Sequence, residues 1–333
     1  MQLKGTRENR NIFVLSHASD IDGVGSAALI RMKYGVPLSN ILFSEYSEEG
    51  IGYAESYLSK RYRKGITLFV TDLGVDASLY RRYLRIIKSV KASGGMVFWF
   101  DHHPWEPYAV KSIAALCDEA IVGENPKYCA ASITWRRLGF SDKFTRELVS
   151  LINYSDFNKD PGSARHRKLI GTYALSITKY NSSKSRDYRM SRLRHIVQVL
   201  GSGRFTDPRI RKDASAFNAL NSARTKSMLR NVILRSDFAI GFSKPVQSTS
   251  GCVAIIRSTG AQIGIYVDTE SWKGHIRCET KDISLLARVL GGGGHPHASG
   301  FPVNYRQFGG LKTSRSRRAY ADFIEKKIIR HVK

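Results

Sequence analysis

Carboxylates and imidazoles recur in this sequence directly after apolar runs. Asp101-His102-His103 follows Gly94-Gly95 and the run Met96-Val97-Phe98-Trp99-Phe100. His17-Ala18-Ser19-Asp20-Ile21-Asp22-Gly23 follows Asn11-Ile12-Phe13-Val14-Leu15-Ser16, and Asp72-Leu73-Gly74 follows a run from Ile66 to Thr71. Asp156 stands in Asn153-Tyr154-Ser155-Asp156-Phe157, beyond a segment from Thr145 to Ile152 that reads as a helix. Mixed carboxylate and imidazole sets suit borderline divalent cations such as Mn²⁺, with Zn²⁺ or Co²⁺ also allowed by geometry. Crowding so many acids without a cation would raise their pKa values against one another.

The elements that must position these groups are short runs rich in Val, Ile and aromatics, the signature of buried parallel strands. Parallel strands converge their carboxyl ends on one edge of an open sheet, where such sheets bind ligands. His17, Asp20, Asp22, Asp72, His102 and Asp156 are therefore expected in one pocket. Asp20 and Asp72 each have a plainer reading as a helix N-cap, which a single Asp before a helical stretch ordinarily is. The joint pattern over three strand ends favours a metal site.

These motifs resemble those of the DHH phosphoesterase superfamily, which includes RecJ-type exonucleases, nano-RNases, cyclic-dinucleotide phosphodiesterases and family II pyrophosphatases. The resemblance covers nearly the whole chain. It runs through His17-x-x-Asp20-x-Asp22-Gly23, Asp72, Asp101-His102-His103 and Asp156 to Gly291-Gly292-Gly293-Gly294-His295-Pro296-His297-Ala298-Ser299-Gly300. That last run is similar to the glycine-rich signature of the DHH-associated domain, which family II pyrophosphatases lack. RecJ-like members often have no His at the position of His17, so this feature is nearer the nano-RNase and pyrophosphatase branch.

The resemblance implies two divalent ions, Mn²⁺ foremost with Mg²⁺ or Co²⁺ as substitutes. One would be held by His17, Asp20 and Asp72 and the other by Asp22, Asp72, His102 and Asp156, with Asp72 bridging. His103 would face the scissile phosphate and Asp101 would support it. His295 would reach the substrate phosphate, and an Arg equivalent in position to Arg277 would bind the terminal nucleotide. Two cations about 3.5–4 Å apart can clamp an in-line displacement and activate water, so no side-chain nucleophile is required.

In the carboxyl-terminal part, Ile255-Ile256-Arg257, Gln262 to Val267 and His275 to Glu279 read as short strands, and Ile283 to Val289 as a helix. Gly292, Gly293 and Gly294 are expected in a loop that lets backbone N–H groups approach a phosphate, although glycine repeats alone also make flexible turns. His297 reads as structural or solvent-facing.

The fold class expected is α/β. A parallel-sheet catalytic domain spans residues 10–160, a basic helical segment over 161–236 completes it, and a smaller α/β domain spans 237–333, with the active site in the cleft between domains. The 333 residues suffice for two cores. No run of about 18 apolar residues suggests a membrane span, and Met1-Gln2-Leu3-Lys4-Gly5 lacks the apolar core of a signal peptide. Cys117, Cys129, Cys252 and Cys278 show no CxxC spacing, which points to a reducing cytoplasm.

Charge is the second clue. The chain holds 53 Lys and Arg against 28 Asp and Glu, a net +25. From Lys159 to Arg235 there are 18 basic residues against 4 acids, an excess of 14. A one-sign excess of this size is a footprint for polyanions. Tyr173, Tyr180, Tyr188 and Phe205 interleave with it and could stack bases of a single strand, though each also fits a core.

The leading function is an exonuclease releasing 5′-mononucleotides from single-stranded or short RNA or DNA, with replication, repair or RNA-processing complexes as partners. The alternatives are a phosphodiesterase for cyclic or linear dinucleotides, and a non-catalytic nucleic-acid-binding subunit with a relict metal site.

Overall fold

The computed structural model describes residues 11–61, 65–123, 127–157 and 159–332. The amino-terminal stretch read for a signal peptide, and the extreme ends of the expected domains, lie outside them. The chain divides into two compact units, the first ending at Ser215 and the second starting at Ala216.

The first unit alternates strands and helices: β1 (Ile12–His17), α1 (Ile21–Tyr34), β2 (Ile41–Ser44), α2 (Glu48–Ser59), β3 (Thr67–Thr71), α3 (Tyr80–Ala92), β4 (Met96–Asp101), α4 (Pro107–Ser112) and β5 (Glu119–Val122). The helices α5 (Ala130–Leu138), α6 (Lys143–Asp156), α7 (Ala164–Asn181) and α8 (Arg186–Gly201) follow, and α9 (Pro208–Leu229) runs past the unit boundary. All the strands pair in parallel, in the order β2-β1-β3-β4-β5.

That order reverses direction between β1 and β3, and ligands of open α/β sheets bind at such a switch point, beyond the carboxyl ends of the strands. The register sets Ser16 opposite Thr71 and Thr71 opposite Phe100, so His17, Asp72 and Asp101 leave the sheet side by side. Alternation along the strands fills both faces. Ile12 and Val14 join a core with α1, α5, α6, α7 and α8, whereas Phe13 and Leu15 pack with α2 and α3.

The second unit is a mixed sheet, β10-β11-β9-β8-β7-β6. Its elements are β6 (Ile233–Leu234), β7 (Phe238–Ser243), α10 (Ser248–Thr259), β8 (Ile263–Asp268), β9 (Lys273–Cys278), α11 (Ser284–Val289), β10 (Gly293–His295), β11 (Ala298–Pro302) and α12 (Ser314–His331). One expectation fails here. Ile255-Ile256-Arg257 is not a strand but lies in α10, because β7 and β8 pair in parallel and a parallel pair needs a crossover, which the helix supplies. Among the described residues no helix is long and apolar enough to cross a membrane.

Candidate metal centre

The first motif leaves the sheet at the end of β1. Asp20 is the N-cap of α1, its Oδ1 accepting from the N–H groups of Asp22 and Gly23 at 3.0 and 3.3 Å. Its second oxygen, Oδ2, lies 3.2 Å from His17 Nδ1. One oxygen thus serves as the helix cap, and the other faces the His17 imidazole. Gly23 is needed for close approach, since a Cβ there would overlap the carbonyl oxygen of His17. Ser16 Oγ donates to the Gly23 carbonyl at 2.7 Å and lies 2.7 Å from Thr71 Oγ1, tying α1, β1 and β3 together.

Asp72 follows β3 with φ of 56°, the left-handed region that an L-residue enters at a cost, Asp less than most. Its own N–H donates to the Phe100 carbonyl at 3.0 Å. The carboxylate is buried and faces two ways: Oδ2 is 3.3 Å from His17 Nδ1, and Oδ1 is 3.5 Å from His102 Nε2.

Asp22 and Asp156 complete the set. Asp22 is buried, and its two oxygens accept from the N–H groups of Ala130 and Ala131 at 2.8 and 2.7 Å. Those amides open α5, so this carboxylate rests on a helix amino terminus. Asp156 is the last residue of α6, and its Oδ2 lies 3.7 Å from His102 Nδ1. Donor atoms gather within 4.8 Å of one another in His17-Asp20-Asp72, in Asp22-His102-Asp156 and in Asp72-Asp101-His103.

Electrostatics show what this gathering costs without a cation. Burial pushes Asp22 well up, and the charges of Asp72 and Asp156 add to it. Asp156 is pushed up to about 7, by burial first and by Asp72 against the relief from His102. Asp72 goes down despite its burial, because the imidazoles of His102 and His17 stand against its carboxylate. His102 rises to about 10: burial disfavours its charge, but Asp72, Asp156 and Asp22 outweigh that. His17 Nδ1, Asp72 Oδ2 and Asp156 Oδ2 are buried and meet no hydrogen bond of good geometry among the described residues. Inward-facing acceptors without donors, from carboxylates and imidazoles on separate elements, fit hard or borderline divalent cations.

His103 is held beside this set. Its Nδ1 lies 2.8 Å from Asp101 Oδ1, and the Trp105 indole N–H donates to Asp101 Oδ2 at 2.7 Å. Both carboxylate oxygens are therefore engaged, and Asp101 has no exposure to solvent. Burial disfavours the His103 cation, but Asp101 raises its pKa above the ordinary value. Trp105 and Tyr46 escaped the sequence reading. Trp105 stands two residues after the triplet, a signal that was available. Tyr46 follows β2, a strand of four residues, and its partners come from distant elements.

In the second unit, the glycines do not form a plain loop. Gly293 to His295 is strand β10, paired antiparallel with β11, and backbone pairing of the hairpin dictates the glycines. A Cβ on Gly292 would overlap the Gly300 carbonyl, and Gly294 has φ of 135°. Register aligns His295 with Ala298, Ala298 with Arg277 and Arg277 with Gly264, so His295 and Arg277 share one sheet face. Arg277 donates to Thr249 Oγ1 at 3.2 Å. His297 is exposed, with Nδ1 3.1 Å from the Cys278 carbonyl oxygen.

Tyr173 and Tyr180 are fully buried, which removes them as base-stacking platforms. The Tyr180 hydroxyl is bound to Asp213 Oδ2 at 2.9 Å, and that of Tyr173 to the Phe205 carbonyl. They interleave with basic residues because α7 is amphipathic, cations outward and rings inward.

Tested against protein-family models and against curated proteins, the sequence finds no match. Solved structures do match. A pGpG-specific phosphodiesterase from Vibrio cholerae aligns over 95% of this chain and 98% of its own, at 14% identity and a TM-score of 0.51. RecJ from Thermus thermophilus in complex with Mn²⁺ aligns over 93% of this chain and 52% of its own, at 14% identity and a TM-score of 0.51. An exonuclease RecJ bound to manganese aligns over 93% and 90%, at 14% identity and a TM-score of 0.50. The chain has a RecJ-like fold.

Proposed function

We propose that this chain is a metal-dependent phosphodiesterase, acting as an exonuclease that releases 5′-mononucleotides from single-stranded or short RNA or DNA. The observation that carries the reading is Asp72, whose two oxygens face His17 and His102 and so join two donor sets through one carboxylate. His17, Asp20 and Asp72 would hold one divalent ion; Asp22, Asp72, His102 and Asp156 would hold the second. When bound, such ions polarise phosphoryl oxygens and lower the pKa of water.

The protein's own groups divide the remaining work. Asp101 accepts from His103 Nδ1, which fixes the ring and favours its protonated form. Nε2 then carries the proton suited to a non-bridging phosphate oxygen. His295 and Arg277, on one face of their sheet, are assigned to substrate phosphate and terminal nucleotide, with backbone N–H groups of Gly292, Gly293 and Gly294 beside them. Substrate of polymeric length is favoured by Lys168, Lys184, Arg209, Arg211 and Lys212, which are exposed and enter no ion pair among the described residues. Mn²⁺ is the proposed ion, and a reducing cytoplasm the proposed compartment.

A second reading, hydrolysis of linear or cyclic dinucleotides, is favoured by the near full-length match to the pGpG-specific enzyme. Incubation with Mn²⁺ and oligonucleotides from dimers to about two dozen nucleotides, labelled at each end in turn, separates the two. A ladder from long strands supports the exonuclease and fixes polarity. Cleavage confined to dimers and trimers supports the second reading, and no cleavage with any metal rejects both.

A further inference from the structure

We propose that Tyr46 is a positioning residue of this centre, holding Asp72 and His103 in working geometry through its hydroxyl; the inference rests on the phosphodiesterase reading above. Tyr46 lies between β2 and α2, in a turn closed by Ser47 N–H donating to the Glu45 carbonyl at 2.8 Å. Tyr46 is 38% exposed, but its hydroxyl is turned toward the backbone after β3. There it donates to the Asp72 carbonyl at 3.2 Å and accepts from the Gly74 N–H at 3.2 Å. His103 Nδ1 lies 3.3 Å away.

A phenol has one proton and two lone pairs, so these contacts fit together. The proton goes to the Asp72 carbonyl, one lone pair takes Gly74, and the other faces an Nδ1–H whose main acceptor is Asp101 at 2.8 Å. The hydroxyl thus spans the turn in which Asp72 adopts its left-handed φ of 56°. A backbone held in such a region persists only where surrounding contacts over-determine it, and Tyr46 supplies two of them. The ring adds van der Waals support: its centroid is 4.8 Å from that of His17 and 5.8 Å from that of His103. One side chain therefore touches the first, second and third motifs. It comes from a strand edge that supplies no candidate ligand, so its consistent role is orientation.

The test compares Tyr46→Phe, which keeps the ring, with Tyr46→Leu, which keeps neither ring nor hydroxyl, in the full chain. Calorimetry of the metal-stripped proteins with Mn²⁺ alone reads the placement of Asp72 without turnover. Kinetics on a labelled dinucleotide at saturating Mn²⁺ read His103. Groups that orient ligands are worth about 10–100-fold in affinity or activity. Expected for Tyr46→Phe is about a tenfold fall in kcat with KM within about twofold, and Mn²⁺ affinity weakened several-fold at a nearly unchanged melting temperature. Tyr46→Leu should be worse on both counts. Wild-type kcat and Mn²⁺ affinity in Tyr46→Phe would overturn the proposal. So would a raised KM at unchanged kcat, which would make Tyr46 a substrate contact. If the wild type cleaves no phosphodiester, the functional reading fails by itself, and the Mn²⁺ affinity of Tyr46→Phe still decides whether Tyr46 positions Asp72.

Discussion

Gly23 lies against His17 so closely that a side chain on it would overlap the His17 carbonyl and approach the His17 Cβ to 2.8 Å. The first turn of α1 is thereby seated on the end of β1, and the cap Asp20 is brought to the same imidazole. Gly23→Ala should cost about 2 kcal/mol or more, as overpacking against backbone does. The check is a denaturation midpoint together with Mn²⁺ affinity, which should fall with it. A variant of wild-type stability and affinity would show that α1 can move away without harm.

Asp72→Ala should abolish Mn²⁺-dependent turnover, by about 10²-fold or more, because both donor sets lose their shared carboxylate. Binding of a long single strand should survive, since the exposed cations lie on other elements. Turnover assays and a filter-binding assay on the same preparation separate these outcomes. Substantial activity in the variant would reject the shared-carboxylate reading.

Asp101→Asn should lower kcat by about 10–100-fold while leaving Mn²⁺ binding near wild type, as loss of an orienting carboxylate does. The amide must present an N–H toward either His103 or Trp105, where the carboxylate accepts from both. Measuring kcat and Mn²⁺ affinity together tests it; a loss confined to Mn²⁺ affinity would make Asp101 a ligand instead.

The pH dependence has a definite sign. Asp156, at about 7, and His102, at about 10, hold their protons more tightly than they would in the unfolded chain. Their contributions are full below the unfolded values and are lost as pH rises through about 7 and about 10. The melting temperature of the metal-free protein should therefore fall from about pH 6 to about pH 9. Cations compete for the same atoms, so Mn²⁺ should stabilise more at the upper end. A thermal-shift series with and without Mn²⁺ measures both; a shift independent of pH would place the ion elsewhere.

Salt should separate substrates. Strand binding that neutralises Z phosphates has a log–log slope of about −0.7Z, whereas a dinucleotide gives a shallow one. A shallow slope for a long strand would leave the exposed cations of α7 and α9 to another partner.

The sequence made the strand ends legible because β1, β3 and β4 are covered on both faces and read as unbroken apolar runs. The strands β2 and β5 were missed: each has four residues, and β5 is half-buried throughout. Ile255 to Arg257 misled because two adjacent isoleucines carry no period, and the parallel pairing that demands a helix is a non-local fact. Asp20 was ambiguous in sequence because a cap needs only one carboxylate oxygen, and its second oxygen faces His17. The amides under Asp22 lay hidden for the same reason as the contacts of Tyr46: they come from elements far along the chain.

Asp22 binds the amides that open α5, 108 residues further on, and Asp156 comes at the end of the following helix. The full donor set therefore does not exist until α6 has been synthesised and has docked. A nascent chain halted before that point would present isolated acids to the cell's cations; on the proposed reading, metal loading would be a late event that reports completed assembly of the unit.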